Sequence, residues 1–259
     1  MNYFADWPLD KLNTATKYPS IPTYHKLGDR GRLTEELNVD FGDDDVVVTE
    51  KIDGTNARIV CFVPSSLDSD SAASYLIGSR KELLFASGDL LHNPSNCIVE
   101  TVRPFADDFV EGVEWPNCAV QQNLAVRVIY GEVYGARIQK GGGNYRSDVS
   151  FRLFDVVIFG QSVTRDGLAD DGKAWWLNWN DVEDVARKLS IETVPVVARM
   201  ATLAQAIQVV EEGLGSVVAQ EEADRMDINA EGVVARTDPL LFDRRGQRLM
   251  WKLKERDFA

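Results

Sequence analysis

The chain is poor in the residues that most often build metal centres and catalytic triads. Its 259 residues include two histidines and three cysteines. His25 and His92 stand far apart, and Cys61, Cys97 and Cys118 form no CxxC pair, so zinc-ligand spacing is absent. The histidines are expected to be surface or loop residues. Three scattered cysteines read as reduced thiols rather than a disulfide framework. No stretch approaches the roughly 18 apolar residues of a membrane span. The opening MNYFADWPLDKL has no basic segment leading into an apolar core, as a signal peptide would. A cytoplasmic protein with no membrane partner is therefore expected. Lysine is scarce too: 10 residues against 18 arginines, while 25 aspartates and 16 glutamates bring the net charge to −13. That balance argues against loose binding to nucleic acid, whose phosphates are met mainly by Lys and Arg.

What is present is an ordinary globular composition, with 44% hydrophobic residues, enough for one large or two small domains. Short β-rich runs dominate. Val46–Val48 leads into Lys51, and Ala57–Val63 alternates inward and outward after it. Tyr75–Ser79, Leu124–Tyr130, Phe151–Phe159 and Arg248–Leu253 also read as strands. Helices are expected over Val99–Val110, from a cap at Asn180 or Asp181 to Leu189, and from Thr202 to Glu212 before Gly213. Pro64–Ala73, Lys140–Arg146 and Thr164–Lys173 read as loops. Strands with interspersed helices, and no regular βαβ alternation, predict an α+β fold with mainly antiparallel sheets.

The segment Glu50-Lys51-Ile52-Asp53-Gly54-Thr55-Asn56 lies between two of these strands. Asp-Gly alone would mark a charged hairpin turn. A lysine at that position is also a candidate nucleophile, because neighbouring cations, a metal or desolvation can bring an ammonium group to give up its proton. Gly54 permits the tight turn, and Asn56 offers an amide to a phosphate or ribose.

This segment resembles the K-x-D-G-x-N signature of the covalent nucleotidyltransferases, the superfamily of polynucleotide ligases and capping enzymes. Further elements follow in order. Ser79-Arg80 resembles the arginine motif after the nucleophile. Tyr130 to Gly135, YGEVYG, resembles the G-E-x-x-G element. Phe151 to Asp155, FRLFD, resembles F-x-x-F-D. Ala230 to Val234, AEGVV, resembles E-G-[VY]-V, and Trp251 to Lys254 resembles the closing K-x-K. Lys17 to Ile21, KYPSI, and the Gly-Thr-Asn continuation after Lys51 are similar to the RNA ligases that seal nicks in duplex RNA, the phage and trypanosome editing group. Arg236 stands where that group commonly has lysine, so a planar fork replaces a point charge.

The resemblance implies a nucleotidyltransferase (adenylation) domain of two packed, mainly antiparallel sheets with flanking helices. It would fill residues 1–259 as a single domain, with no C-terminal OB-fold or accessory domain, and act as a monomer. It implies an ATP-dependent RNA ligase that uses ATP with Mg²⁺ or Mn²⁺ and joins RNA 5′-phosphate and 3′-hydroxyl ends through a lysyl-AMP. The alternatives are a DNA ligase or capping guanylyltransferase core, or a non-catalytic RNA-binding module derived from a ligase. Lys51 would be the nucleophile, and Glu231 would help hold the metal. Lys252 and Lys254 would meet phosphates from one face of their strand. Glu132 would accept a ribose hydroxyl, Phe154 would stack on the base with Phe151 in the core, and Ile52 would pack under the adenine. Glu50, Asn56, Arg80 and Arg236 complete the expected nucleotide-binding set. Asp155 is either a structural carboxylate or part of the ligand shell. KGGGNYR (Lys140–Arg146) is either a loop over the ligand or a plain turn. Trp175, Trp176 and Trp179 either pack together or stack on unpaired bases. The acid excess then points to the solvent, a salt-rich cytoplasm as in a halophilic host or its virus.

Overall fold

A computed structural model describes residues 8–38, 45–62, 74–86, 89–91, 97–112, 126–159, 163–164, 167–168 and 174–258. The Pro64–Ala73 loop, His92, Cys118 and the start of the Leu124–Tyr130 run lie outside the described residues. The chain divides into two compact units. One comprises Met1–Tyr18, Thr55–Val133 and Val149–Thr193. The other comprises Pro19–Gly54, Tyr134–Asp148 and Val194–Ala259.

The first unit is organised by a seven-stranded sheet whose described pairings are all antiparallel. Its order runs Ala174–Trp176, Val149–Phe159, Val126–Gly135, Thr55–Phe62, Ser74–Ser79, Leu83–Ala86 and Asp89–Leu90. The expected in-out alternation over Ala57–Val63 is replaced by burial of every residue from Ala57 to Phe62. Ile98–Gly112 packs on Thr55–Phe62 and Ser74–Ser79. The helix buries Ile98, Val99, Val102, Ala106 and Phe109, whose spacing of three or four gives it one apolar face.

The second unit holds a four-stranded antiparallel sheet in the order Val196–Ala201, Val46–Lys51, Gly232–Thr237, Met250–Lys254. Directly opposed residues share a face, so the register sorts the sheet into two sides. Val46, Val48, Val233, Ala235, Trp251 and Leu253 form one side. They pack with Ala201 and with Ala206 and Val210 of the helix Leu203–Glu211. Thr202 caps that helix with Gln205 in a reciprocal capping box.

Among the described residues, antiparallel sheets with helices give the expected α+β class, and no helix is long and apolar enough to cross a membrane. Three local expectations change. The strand that begins at Val126 runs on to Gly135, so YGEVYG lies within it rather than after it. Asn178, not Asn180 or Asp181, is the N-cap of Trp179–Lys188. The expected loop after Thr164 includes a small antiparallel pairing of Val163–Thr164 with Gly167–Leu168.

Candidate active site

The second side of the four-stranded sheet is where the candidate cations gather. Gly232 pairs with Lys51 on one neighbouring strand and with Lys254 on the other. Two residues along, Val234 pairs with Thr49 and Lys252, and two further along Arg236 pairs with Val47 and Met250. Lys51, Lys252, Lys254 and Arg236 therefore share one face, as strand periodicity requires. Lys51, Lys252 and Lys254 are half-buried, whereas Arg236 is buried at the far end of the row.

Glycine at 232 is a geometric necessity. Its φ of +153° lies where side chains are rarely accommodated. A Cβ there would lie 2.0 Å from the Leu253 carbonyl oxygen and 2.7 Å from the Lys254 Cα. With no side chain between the two lysines, the preceding residue reaches both. Glu231 Oε2 accepts from Lys51 Nζ, and Glu231 Oε1 accepts from Lys254 Nζ at 2.5 Å. Burial would push the Glu231 carboxyl up, but the two ammonium groups outweigh it and hold it below its ordinary value. Asp53 moves the other way, raised first by burial and then by the charge of Glu231.

The signs fix a pH dependence. Stability from the Lys51–Glu231–Lys254 cluster is complete above the ordinary glutamate pKa of about 4.3. It is lost as pH falls through the lower value that Glu231 has in the folded protein. Ionised Asp53 opposes folding, so that cost is relieved as pH falls through its raised value. Melting temperatures measured from neutral to acid pH are expected to show a steeper acid loss in the wild type than in Glu231→Gln.

Glu50 stands apart from this face. It pairs with Val233 on the core side and is 1% exposed. Its carboxylate accepts from Ser216 Oγ at 2.6 Å and from the Val217 and Val218 amides at 2.9 and 3.2 Å. Those donors are the N-cap and first turn of the helix Val217–Ala223, which the sequence reading did not include. Ser216 was the available signal, since it accepts from the Ala219 amide as an N-cap. The Glu50 side chain is thus not brought beside Lys51; it ties the lysine's strand to a helix start. Ile52 is 2% exposed.

The turn after Lys51 is held from two sides. Asp53 N donates to Tyr145 Oη at 3.1 Å, and Gln139 Nε2 donates to the Gly54 carbonyl at 3.1 Å. Tyr145 is 3% exposed, and burial pushes its hydroxyl up to about 12. At its end the KGGGNYR stretch is more than a plain turn: Tyr145 braces the Asp53 amide. Tyr134 donates to Glu222 Oε1, and Arg146 joins Glu222 Oε2 at 2.9 Å while also pairing with Asp148. These bonds moor residues 134–148 to the same helix that Glu50 caps. Removing the hydroxyl in Tyr145→Phe leaves a half-buried amide without its acceptor. A loss of about 1 kcal/mol is expected, read from the denaturant midpoint.

The first unit carries the remaining expected residues. Asn56 and Glu132 are direct cross-strand partners. The Asn56 Oδ1 atom is buried with no hydrogen-bond partner, an orphan acceptor that calls for a donor. Arg80 is exposed in the turn between Ser74–Ser79 and Leu83–Ala86. Phe151 is in the core at 2% exposure, and Phe154 is half-buried with its ring 5.0 Å from that of Tyr18. Asp155 is fully buried and accepts from Tyr18 Oη at 2.8 Å, which makes it a structural carboxylate of this unit. Tyr18, part of KYPSI, is a contact residue that no spacing signal pointed to. The tryptophans divide: Trp179 is core, Trp176 stacks on Tyr130 at 5.6 Å, and Trp175 is 47% exposed.

Among the described residues, no three His, Cys, Asp or Glu side chains form a metal-binding group. Solved structures of the Naegleria gruberi RNA ligase share this fold. One, of a glutamate-to-alanine variant with ATP and Mn, is 17% identical with a TM-score of 0.52, and the match covers 93% of this chain and 60% of that one. Another, with pyrophosphate, is 16% identical with a TM-score of 0.50, covering 92% and 61%. The chain thus spans about three-fifths of the length of those ligases. None of the curated proteins matches the sequence at a significant level. A family model described as RNA ligase matches residues 44–254, which is most of the chain, and the protein belongs to that family.

Proposed function

We propose that the protein is an ATP-dependent RNA ligase acting through a lysyl-AMP. The observation that carries this reading is the row Lys51–Gly232–Lys254, with Glu231 bonded to both ammonium groups on a face that also presents Lys252 and Arg236. A nucleophilic lysine beside a line of phosphate-ready cations suits in-line phosphoryl transfer, where positioning and charge neutralisation matter most.

ATP is a substrate here. Lys51 Nζ, once deprotonated, attacks the α-phosphorus; an N–P bond forms as the bond to pyrophosphate breaks. The AMP then passes to an RNA 5′-phosphate, freeing the lysine and making a 5′–5′ pyrophosphate. A 3′-hydroxyl attacks that activated phosphate, gives up its proton and displaces AMP. Glu231, held below its ordinary pKa, stays ionised and orients Lys51 and Lys254 rather than collecting a proton. Lys252 and Lys254 meet phosphate oxygens. Glu132 and Phe154 serve the ribose and the base, Asn56 offers its amide, and Arg80 steadies a phosphate or the 3′ end.

The donor chemistry fits a hard divalent cation. Glu231 and Asp53 are carboxylates that repel one another, and Mg²⁺ is commonly held by one or two carboxylates together with substrate phosphates. Those two residues would hold Mg²⁺ or Mn²⁺, which would lower the negative charge at the attacked phosphate. The acid excess suits a salt-rich medium, and activity is expected to persist at about 1 M KCl, where the Debye length is about 3 Å; loss of sealing there would count against that setting.

The reading is tested by supplying a nicked RNA duplex with a 5′-phosphate and, separately, the same nick already carrying the 5′-adenylate. Sealing of the first with ATP, and of the second without it, is expected. Failure to seal either substrate would overturn the proposal.

A further inference from the structure

The strands that carry Arg236, Lys252 and Lys254 are joined by a hairpin with its own chemical character. Phe242 bridges Arg248, Leu249 N donates to Leu241 O at 2.8 Å, and Asp243 N donates to Gln247 O at 2.8 Å. The turn is closed by Gly246 N donating to Asp243 O at 3.0 Å, with Gly246 at φ +75°. Leu241 N is caught by Thr237 Oγ1 at 2.9 Å. The tip is therefore a built element with a fixed backbone.

Its charge is opposite to that of the whole chain. Arg244, Arg245 and Arg248 fall within five residues of a protein with a net charge of −13. The hairpin's one acid is used up by the turn: Asp243 Oδ1 accepts from the Arg245 and Gln247 amides, each at 2.8 Å. Arg244 and Arg245 are exposed, and neither has a salt-bridge partner among the described residues. Beside them Phe242 is 48% exposed. Free guanidinium forks next to an exposed ring suit a ligand that offers both phosphates and flat apolar faces. An acidic protein surface would use the arginines and leave the ring without a role.

We infer that the Leu241–Arg248 hairpin is an RNA-docking element. Arg244 and Arg245 grip the phosphate backbone, and Phe242 lies against sugar or base. This rests on the RNA ligase reading and extends it to a surface away from the reacting ends. From Lys254 back to Gly246 the ribbon spans at most about 27 Å at roughly 3.3 Å per residue. That equals about eight base steps at roughly 3.4 Å each. The hairpin thus reaches the duplex within about eight base steps of the nick.

The test compares wild type with Arg244→Ala/Arg245→Ala and with Phe242→Ala. Binding of a fluorescein-labelled nicked RNA duplex is followed by anisotropy across a salt titration. The double variant is expected to bind about tenfold more weakly, with the log–log salt slope shallower by about 1.8, as the loss of two phosphate contacts on a duplex implies. Phe242→Ala is expected to weaken binding about fivefold with the slope unchanged, because stacking releases no counterions. Covalent labelling by ATP needs no RNA and is expected to match wild type in both variants, which also shows that they are folded. Unchanged RNA affinity and slope in the double variant would overturn the inference, as would a wild type that does not bind the duplex. A wild type that binds RNA but takes no label from ATP would overturn the ligase reading instead, and the binding comparison would still decide the hairpin's role.

Discussion

Gly232→Ala is expected to abolish covalent labelling by ATP and to lower stability by about 3 kcal/mol. The added methyl would sit 2.0 Å from the Leu253 carbonyl oxygen and 2.9 Å from its carbon. These are backbone atoms of the paired strand, so no flexible side chain can swing aside. Relief requires Gly232–Thr237 to part from Met250–Lys254 at the row that aligns Lys51 with Lys254. The positive φ of +153° adds strain that alanine cannot release. Labelled ATP reads the first effect and denaturant unfolding the second. A stable, fully labelled Gly232→Ala protein would show that the row is not the reacting geometry.

Glu231→Ala is expected to reduce labelling by at least about a hundredfold, the scale on which a single preorganised charge contributes. Two ammonium groups would remain side by side, with side-chain exposures of 22% and 17% and no carboxylate between them. Breaking such a pair by removing one partner costs several kcal/mol when fully buried, and about 2 kcal/mol is expected at this partial exposure. Glu231→Gln separates the causes. The amide keeps the shape and can hydrogen-bond, but it does not balance the two cations. Labelling that returns in the Gln variant would show that Glu231 acts by shape. Labelling that stays low is the expected result and marks its charge as the working property.

The face that carries the cations was readable because it depends on a period of two. Lys252 and Lys254 are two apart, Lys51 ends a strand, and Glu231-Gly232 opens another. Pairing these strands aligns the groups with no further information. Glu50 was misleading for the same reason. It adjoins Lys51 in sequence, and so it lies on the opposite face. Its partner is a seven-residue helix 166 positions away, too short to announce itself by periodicity. The brace on the turn after Lys51 is also non-local. Tyr145 lies 92 residues from Asp53, and Gln139 lies 85 from Gly54. Tyr18 reaches Asp155 across 137 residues. Such contacts are set by how the chain folds back, which composition and spacing do not encode. The alternation expected over Ala57–Val63 failed because both faces of the strand are buried from Ala57 to Phe62.

The most direct measurement locates the AMP. The protein is incubated with ATP and Mg²⁺, quenched and digested with trypsin, and the peptides are analysed by mass spectrometry. Between Arg32 and Arg58 the sequence holds one cleavable residue, Lys51. An AMP on Lys51 blocks that cut, so the adduct is expected on the uncut peptide Leu33–Arg58, and no adduct is expected in Lys51→Ala. AMP found on any other residue, or an adduct that persists in Lys51→Ala, would contradict Lys51 as the nucleophile.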